Sequence, residues 1–365
     1  MGRPVPDLAA AVAAHGLPTE HRLPGRPLDG ATWAALLSAA GRERIAGHLV
    51  KAVTDGALAA TGAQRRDAEE LHAIAVAGCL VLERALLDTV ELLEGSGIDH
   101  RAMKGPTLAR RAYPDPSLRS FGDVDILVPA AAFDDAIALL CANGYRRPVP
   151  ELRPGFDRRF GKAVTLVTPD GLEIDVHRTI VDGRFGLLVP LDELFGSPVL
   201  VAVGRRDVRA LPLEHEFLAV CFNAAIGSRE LRLAPLRDVA QMATTTELEI
   251  PAVLRSGRRW GAEAVVALGV GRAWDVLAVR SEGPLPAWAS SFRPARADAR
   301  ALRRHTSARA TWLRMALSGL PAVRGPSQKL AYLRAVLVPR QPAVSRRRLH
   351  HVVRAARRVR PDDAG

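Results

Sequence analysis

Between Ala31 and Ala60, apolar residues recur at helical spacing: Trp33, Leu36 and Leu37, then Ile45, Leu49 and Val53. Gly41 stands between the two groups and predicts two short helices rather than one. A longer amphipathic stretch over about residues 63–93 carries Leu71, Ile74, Leu82, Leu86, Val90 and Leu93 on or near one face. Gly95 and Gly97 follow as a stop signal. Residues 1–28, rich in Pro and Gly, predict a loose lead-in, so the N-terminal helical region spans 29–97.

The period then changes. Residues 98–104 predict a short strand, and 106–112 a helical turn with Pro106 at its first position. Residues 123–128 alternate, 131–142 are helical, and Asn143-Gly144 ends that helix. Residues 162–168 and 172–180 predict a strand pair across the turn Pro169-Asp170-Gly171. This mixed unit covers 98–210. A helical region over 211–282 follows, with interruptions near Gly227 and Pro251. Residues 283–298, with three Pro and a Gly, predict a linker into a C-terminal segment with amphipathic stretches at about 328–338 and 344–359. The expected class is α+β: a small mixed sheet core flanked by N-terminal and C-terminal helical regions.

Composition fits that picture. The chain has 365 residues, 48% hydrophobic and 25% charged, which is ordinary globular usage and argues against a mostly disordered chain. No apolar run approaches the roughly 20 residues of a membrane span. The formal net charge is +12, an excess that suggests an anionic partner. Residues 291–365 hold 18 basic and 3 acidic residues, a net of +15, whereas 1–290 hold 33 and 36, a net of −3. The excess therefore belongs to the tail, and a nucleic acid, a membrane surface or an acidic protein is the partner it would suit. Cys79, Cys141 and Cys221 are far apart and show no C-x-x-C spacing, so they read as reduced thiols. With no export signal visible at the N-terminus, a cytoplasmic location is the expectation.

The candidate chemistry lies in Asp123-Val124-Asp125-Ile126-Leu127-Val128. In a strand, Val124, Ile126 and Val128 face one side, and Asp123 and Asp125 face the other. Leu172-Glu173-Ile174-Asp175-Val176-His177 repeats the pattern, with Glu173, Asp175 and His177 on its polar face. Adjacent carboxylates repel, and a divalent cation is the simplest reason to gather them. If the two strands neighbour each other with polar faces together, Asp175 joins Asp123 and Asp125 in a set of oxygen ligands suited to Mg²⁺ or Mn²⁺. The competing arrangement is a pair of half-exposed antiparallel strands with solvated carboxylates. Upstream, Lys104-Gly105-Pro106 marks a strand meeting a helix start, where Lys and a helix N-terminus can meet phosphate. Arg119 is a second candidate phosphate contact.

The order of Lys104-Gly105, Tyr113-Pro114 with Pro116, Arg119, Gly122 to Val128, Asn143-Gly144-Tyr145 and Glu173 to His177 resembles an uncharacterised bacterial nucleotidyltransferase family. That family belongs to the DNA polymerase beta-like nucleotidyltransferase superfamily. The resemblance covers about residues 30–280 and extends through His215-Glu216-Phe217-Leu218, Leu236-Arg237-Asp238-Val239 and Arg258-Arg259-Trp260-Gly261. It implies a metal triad of Asp123, Asp125 and Asp175. It also implies phosphate contacts from Lys104, Gly105 and Arg119, with Glu173 and His177 as residues that support the site or meet the acceptor. The chain departs from the wider superfamily at Gly105-Pro106, where Gly-Ser or Gly-Gly is usual, and in the 17 residues between Gly105 and Asp123.

The function implied is Mg²⁺-dependent transfer of a nucleoside monophosphate from an NTP to a hydroxyl acceptor. The alternative is a non-catalytic nucleotide-binding protein, or one that docks on nucleic acid or a membrane through the basic residues of 291–365.

Overall fold

The computed structural model describes residues 5–228, 230–307 and 311–338. Four helices come first: α1 Val5–Ala14, α2 Gly30–Glu43, α3 Ala46–Thr54 and α4 Gly62–Gly95. The central unit runs β1 Arg101–Met103, α5 Gly105–Ala112, β2 Val124–Leu127, α6 Phe133–Ala142, α7 Phe156–Phe160, β3 Ala163–Val167, β4 Glu173–His177, α8 Gly183–Leu188, β5 Val199–Val203 and β6 Arg206–Ala210. Helices then continue as α9 Leu213–Ile226, α10 Leu233–Thr245, α11 Ile250–Arg259, α12 Glu263–Leu277, α13 Pro284–Ser291, α14 Arg296–Thr306, α15 Trp312–Gly319 and α16 Pro326–Leu337. Among the described residues no helix is long and apolar enough to cross a membrane.

The fold is α+β, built on one six-stranded mixed sheet ordered β3-β4-β2-β1-β6-β5. β2 runs parallel to β4, and β1 parallel to β6; the remaining neighbours are antiparallel. The sheet is sandwiched. Val124, Ile126, Ile174 and Val176 pack under α4 and α6, against Leu82, Leu86, Val90, Phe133 and Leu140. On the other side Met103 and Leu127 join a larger helical core that includes Leu108, Phe217 and Leu236. Both faces of β2 are therefore covered, and its two edges are paired, which fixes its register tightly.

Local chemistry explains most element ends. Asp29 caps α2 through the Thr32 N–H at 2.9 Å. Thr61 and Gln64 form a reciprocal capping box at the start of α4. Gly41, the expected break, lies inside α2; the chain breaks instead at Arg44, which takes the left-handed φ of 58°. The expected loose lead-in over 1–28 contains α1, whose Leu8 to Ala14 are buried. The Pro and Gly that flank it masked a short Ala-rich helix. The expected linker over 283–298 holds α13, with Pro284 and Pro286 in its first turn, where no intrahelical N–H is lost. Pro251 likewise opens α11 instead of interrupting a helix. β5 and β6 extend the sheet beyond the strands that the sequence pattern predicts, with β6 beside β1 and β5 at the edge.

The basic segment folds back in part. On α14, Ala301, Leu302 and His305 are buried, and Asp298 accepts an ion pair from Arg184 at 3.1 Å. α16 buries Tyr332 against Phe156 and Phe160 of α7. The expected amphipathic stretch at 344–359 lies outside the described residues. The three cysteines are unpaired; Cys79 and Cys221 are buried and Cys141 is exposed.

Candidate functional site

Parallel pairing of β2 and β4 sets Asp125 directly beside Asp175, with Leu127 beside His177. One ligand atom each from Asp125, Asp175 and His177 lies within 4.8 Å of the others. Two bare carboxylates at that separation repel by about 3 to 4 kcal/mol at an effective dielectric of about 20. The sheet accepts this cost because each carboxylate has a built partner. Asp125 Oδ2 receives the Lys104 ammonium at 2.9 Å, and its Oδ1 faces His177 Nε2 at 2.8 Å. Asp175 Oδ1 accepts the Thr165 hydroxyl from the neighbouring β3 at 2.5 Å. Burial works against the charge on Asp125, but Lys104 and His177 outweigh it and hold the carboxyl well below the usual range.

His177 is fully buried. Its Nδ1 lies 2.9 Å from the Thr179 carbonyl, which can only accept. A neutral imidazole has one N–H, so donation there leaves Nε2 as a lone pair aimed at Asp125. Lone pair against carboxylate is unstable without a positive charge at Nε2, supplied by a proton or by a cation shared with the carboxylates. An imidazole anchored through one nitrogen to a backbone carbonyl, with the other aimed at a carboxylate pair, is the arrangement metal-ligating histidines use. By this donor chemistry, Asp125, Asp175 and His177 fit a divalent cation.

Asp123 stands at the rim. Its side chain is 55% exposed, and Arg44 Nη1 lies 3.7 Å from its Oδ1. The surrounding protein, and then the Asp125 charge, raise its carboxyl above the ordinary value; Arg44 and Lys104 act in the opposite sense. The cluster of three thus holds His177 where the sequence suggested Asp123. Glu173 opens β4 at the exposed end of the strand, two residues before Asp175.

Lys104 leaves the sheet from Met103, whose ladder partner is Asp125. It adopts φ 54° and ψ −131°, and Gly105 follows at φ +36°. A lysine in that region carries about 1–3 kcal/mol of strain. The turn is held from behind: Lys104 N–H donates to Glu216 Oε1 on α9 at 2.7 Å, and the Lys104 carbonyl accepts from Leu108 N–H and the Thr107 hydroxyl. Burial disfavours the Lys104 charge, yet Asp125 and then Asp123 and Glu216 raise its pKa. Glu216 is itself fully buried, with Oε2 lacking a hydrogen-bond partner, and burial pushes its carboxyl up.

Arg119 lies next to this turn but points inward. Its Nε and Nη2 pair with Asp238 of α10 at 2.7 and 2.8 Å, and its Nη1 donates to the Gly105 carbonyl at 3.0 Å. Tyr113 donates to the same Asp238 at 2.7 Å. The guanidinium expected to meet phosphate is thus engaged in bracing the Lys104–Gly105 turn against the helical core.

The residues that sequence reasoning passed over as site residues are Arg44, Thr165, Glu216 and Asp238. A signal for two of them was present: Glu216 precedes the apolar run Phe217-Leu218-Ala219-Val220, and Asp238 lies between Leu236 and Val239-Ala240, so each acid sits beside positions that a core would bury and would then need a partner.

A family model described as uncharacterised nucleotidyltransferase matches residues 29–277. No curated protein matches the chain. Solved structures include an antigenic nucleotidyltransferase-like protein from Paracoccidioides brasiliensis, 14% identical, with 56% of this chain and 94% of that one covered at a TM-score of 0.29.

Proposed function

The chain belongs to the uncharacterised nucleotidyltransferase family, and on that premise we propose that it moves a nucleoside monophosphate from an NTP, ATP among the candidates, to a hydroxyl on a small molecule, sugar or protein. The observation that carries this reading is the in-register pairing of Asp125 with Asp175, with His177 beside them. Asp125, Asp175 and His177 would hold Mg²⁺ or Mn²⁺, with Asp123 adding a carboxylate from the rim. Such a cation, when bound, offsets the charge of the triphosphate and of the α-phosphoryl group in transfer.

The chain's own groups do the rest. Arg44, exposed at the rim, and Lys104, at the head of α5, bring positive charge to the phosphates. Gly105 lets the backbone pass close to them. Arg119 and Glu216 keep the turn that carries Lys104 in place. Transfer forms a bond from the acceptor oxygen to the α-phosphorus and breaks the bond to the bridging oxygen of the β-phosphate. Pyrophosphate leaves with that electron pair, and the acceptor proton passes to a carboxylate. Asp175, oriented by Thr165, is the residue proposed to take it.

Pyrophosphate release from the full chain, with each NTP, Mg²⁺ and a panel of hydroxyl acceptors, tests this. Release by the wild type and loss in Asp175→Asn support it; equal release by both overturns it.

A further inference from the structure

α4 is 34 residues long, and only one side of it packs on the sheet. Ile74, expected in the core, is instead 65% exposed, and Leu80 and Val81 are 59% and 51% exposed. At 100° per residue these three lie within about 60° of Ala77 on the helix surface. Ala73 and Ala77 are also exposed, so this face is apolar and low at its centre. Its ends are charged in an ordered way. Arg66 and Glu70 precede the apolar patch, and Arg84 and Asp88 follow it, all four exposed and within about 20° of the Ala77 direction.

The order basic, acidic, apolar, basic, acidic is self-complementary when reversed. An antiparallel copy centred on Ala77 sets Glu70 against Arg84 and Arg66 against Asp88, because each pair is equidistant from residue 77. Both pairs then occur twice, as an isologous twofold contact requires. The same operation lays Ile74 and Val81 of one copy against Val81 and Ile74 of the other, across alanines that permit close helix approach. A parallel pairing has no such match, since it sets every charge against itself.

We propose that this face of α4 binds a second copy of the chain, forming an antiparallel helix pair about Ala77 with Glu70–Arg84 and Arg66–Asp88 ion pairs between copies. Within one chain, among the described residues, Arg66 and Glu70 form no ion pair. Arg84 has only Asp88 at 3.8 Å, one turn away. Charge complementarity therefore favours a copy of this chain over an unrelated partner.

Sedimentation of the full chain is expected to give two copies per particle. Ala77→Arg sets two guanidinium groups face to face on the twofold and is expected to yield single chains. Arg84→Glu opposes two acids twice over and is expected to weaken association at least about tenfold. Adding Glu70→Arg to Arg84→Glu swaps the pair and is expected to restore it. Circular dichroism confirms that each variant keeps its helices. A wild-type chain that sediments as single copies overturns the proposal. So does a dimer indifferent to Ala77→Arg, or a loss in Arg84→Glu that Glu70→Arg does not repair.

Discussion

His177 Nε2 sits 2.8 Å from Asp125 Oδ1 while its Nδ1 is spent on the Thr179 carbonyl at 2.9 Å. One buried ring between two acceptors needs positive charge on the Asp125 side. His177→Ala is therefore expected to weaken Mn²⁺ binding by about tenfold or more. Manganese electron paramagnetic resonance on the full chain reads this directly, and unchanged affinity would remove His177 from the ligand set.

Metal should also stabilise the fold, because Asp125 and Asp175 repel each other without it. Saturating Mg²⁺ or Mn²⁺ at about 100 times Kd is worth about 2.7 kcal/mol. A thermal melt should shift upward with metal in the wild type and stay put in Asp175→Asn.

Asp125 and Glu216 should tilt the pH dependence of stability in opposite senses. The Asp125 pKa is depressed in the folded chain, so its contribution is present above the unfolded carboxylate value and is lost as pH falls through the folded one. Glu216 has the opposite sign: its folded pKa is raised, so stability declines as pH rises from the unfolded value through the folded one. The stability of Glu216→Gln should fall less steeply than the wild type as pH rises above the unfolded carboxylate value, read by urea denaturation at a series of pH values. Asp125→Asn should flatten the strongly acidic limb instead, after an overall loss of about 3–5 kcal/mol from leaving Lys104 and His177 unmatched.

Arg119 provides a separate test of site against scaffold. Arg119→Ala leaves the buried Asp238 without its bidentate partner and is expected to cost about 3–5 kcal/mol. Tyr113→Phe, which removes one hydrogen bond to the same carboxylate, should cost about 1 kcal/mol. Urea denaturation compares the two. A stable Arg119→Ala chain with weakened NTP binding would return Arg119 to the phosphate contacts.

Much of the central unit was legible before the structure, because alternation and turn signals are local. β3 and β4 pair across Pro169-Asp170-Gly171 as expected, and the acidic faces of β2 and β4 do share one side of the sheet. Periodicity could not give the parallel register that matches Asp125 with Asp175, since that depends on chain segments far apart. Nor could it tell that His177 rather than Asp123 completes the cluster, because Asp123 falls one residue outside β2. Ile74 shows a different limit: its helical spacing is apolar, yet the sheet takes only the opposite side of α4. α1 and α13 were hidden by Pro residues that stand at helix starts or outside helices rather than within them.

Calorimetric titration of the full chain with each Mg²⁺–NTP tests the central claim most directly. The account predicts that at least one NTP binds, that chelating the metal abolishes binding, and that Asp175→Asn loses it while remaining folded. No binding by any NTP, or equal binding by Asp175→Asn, would contradict it.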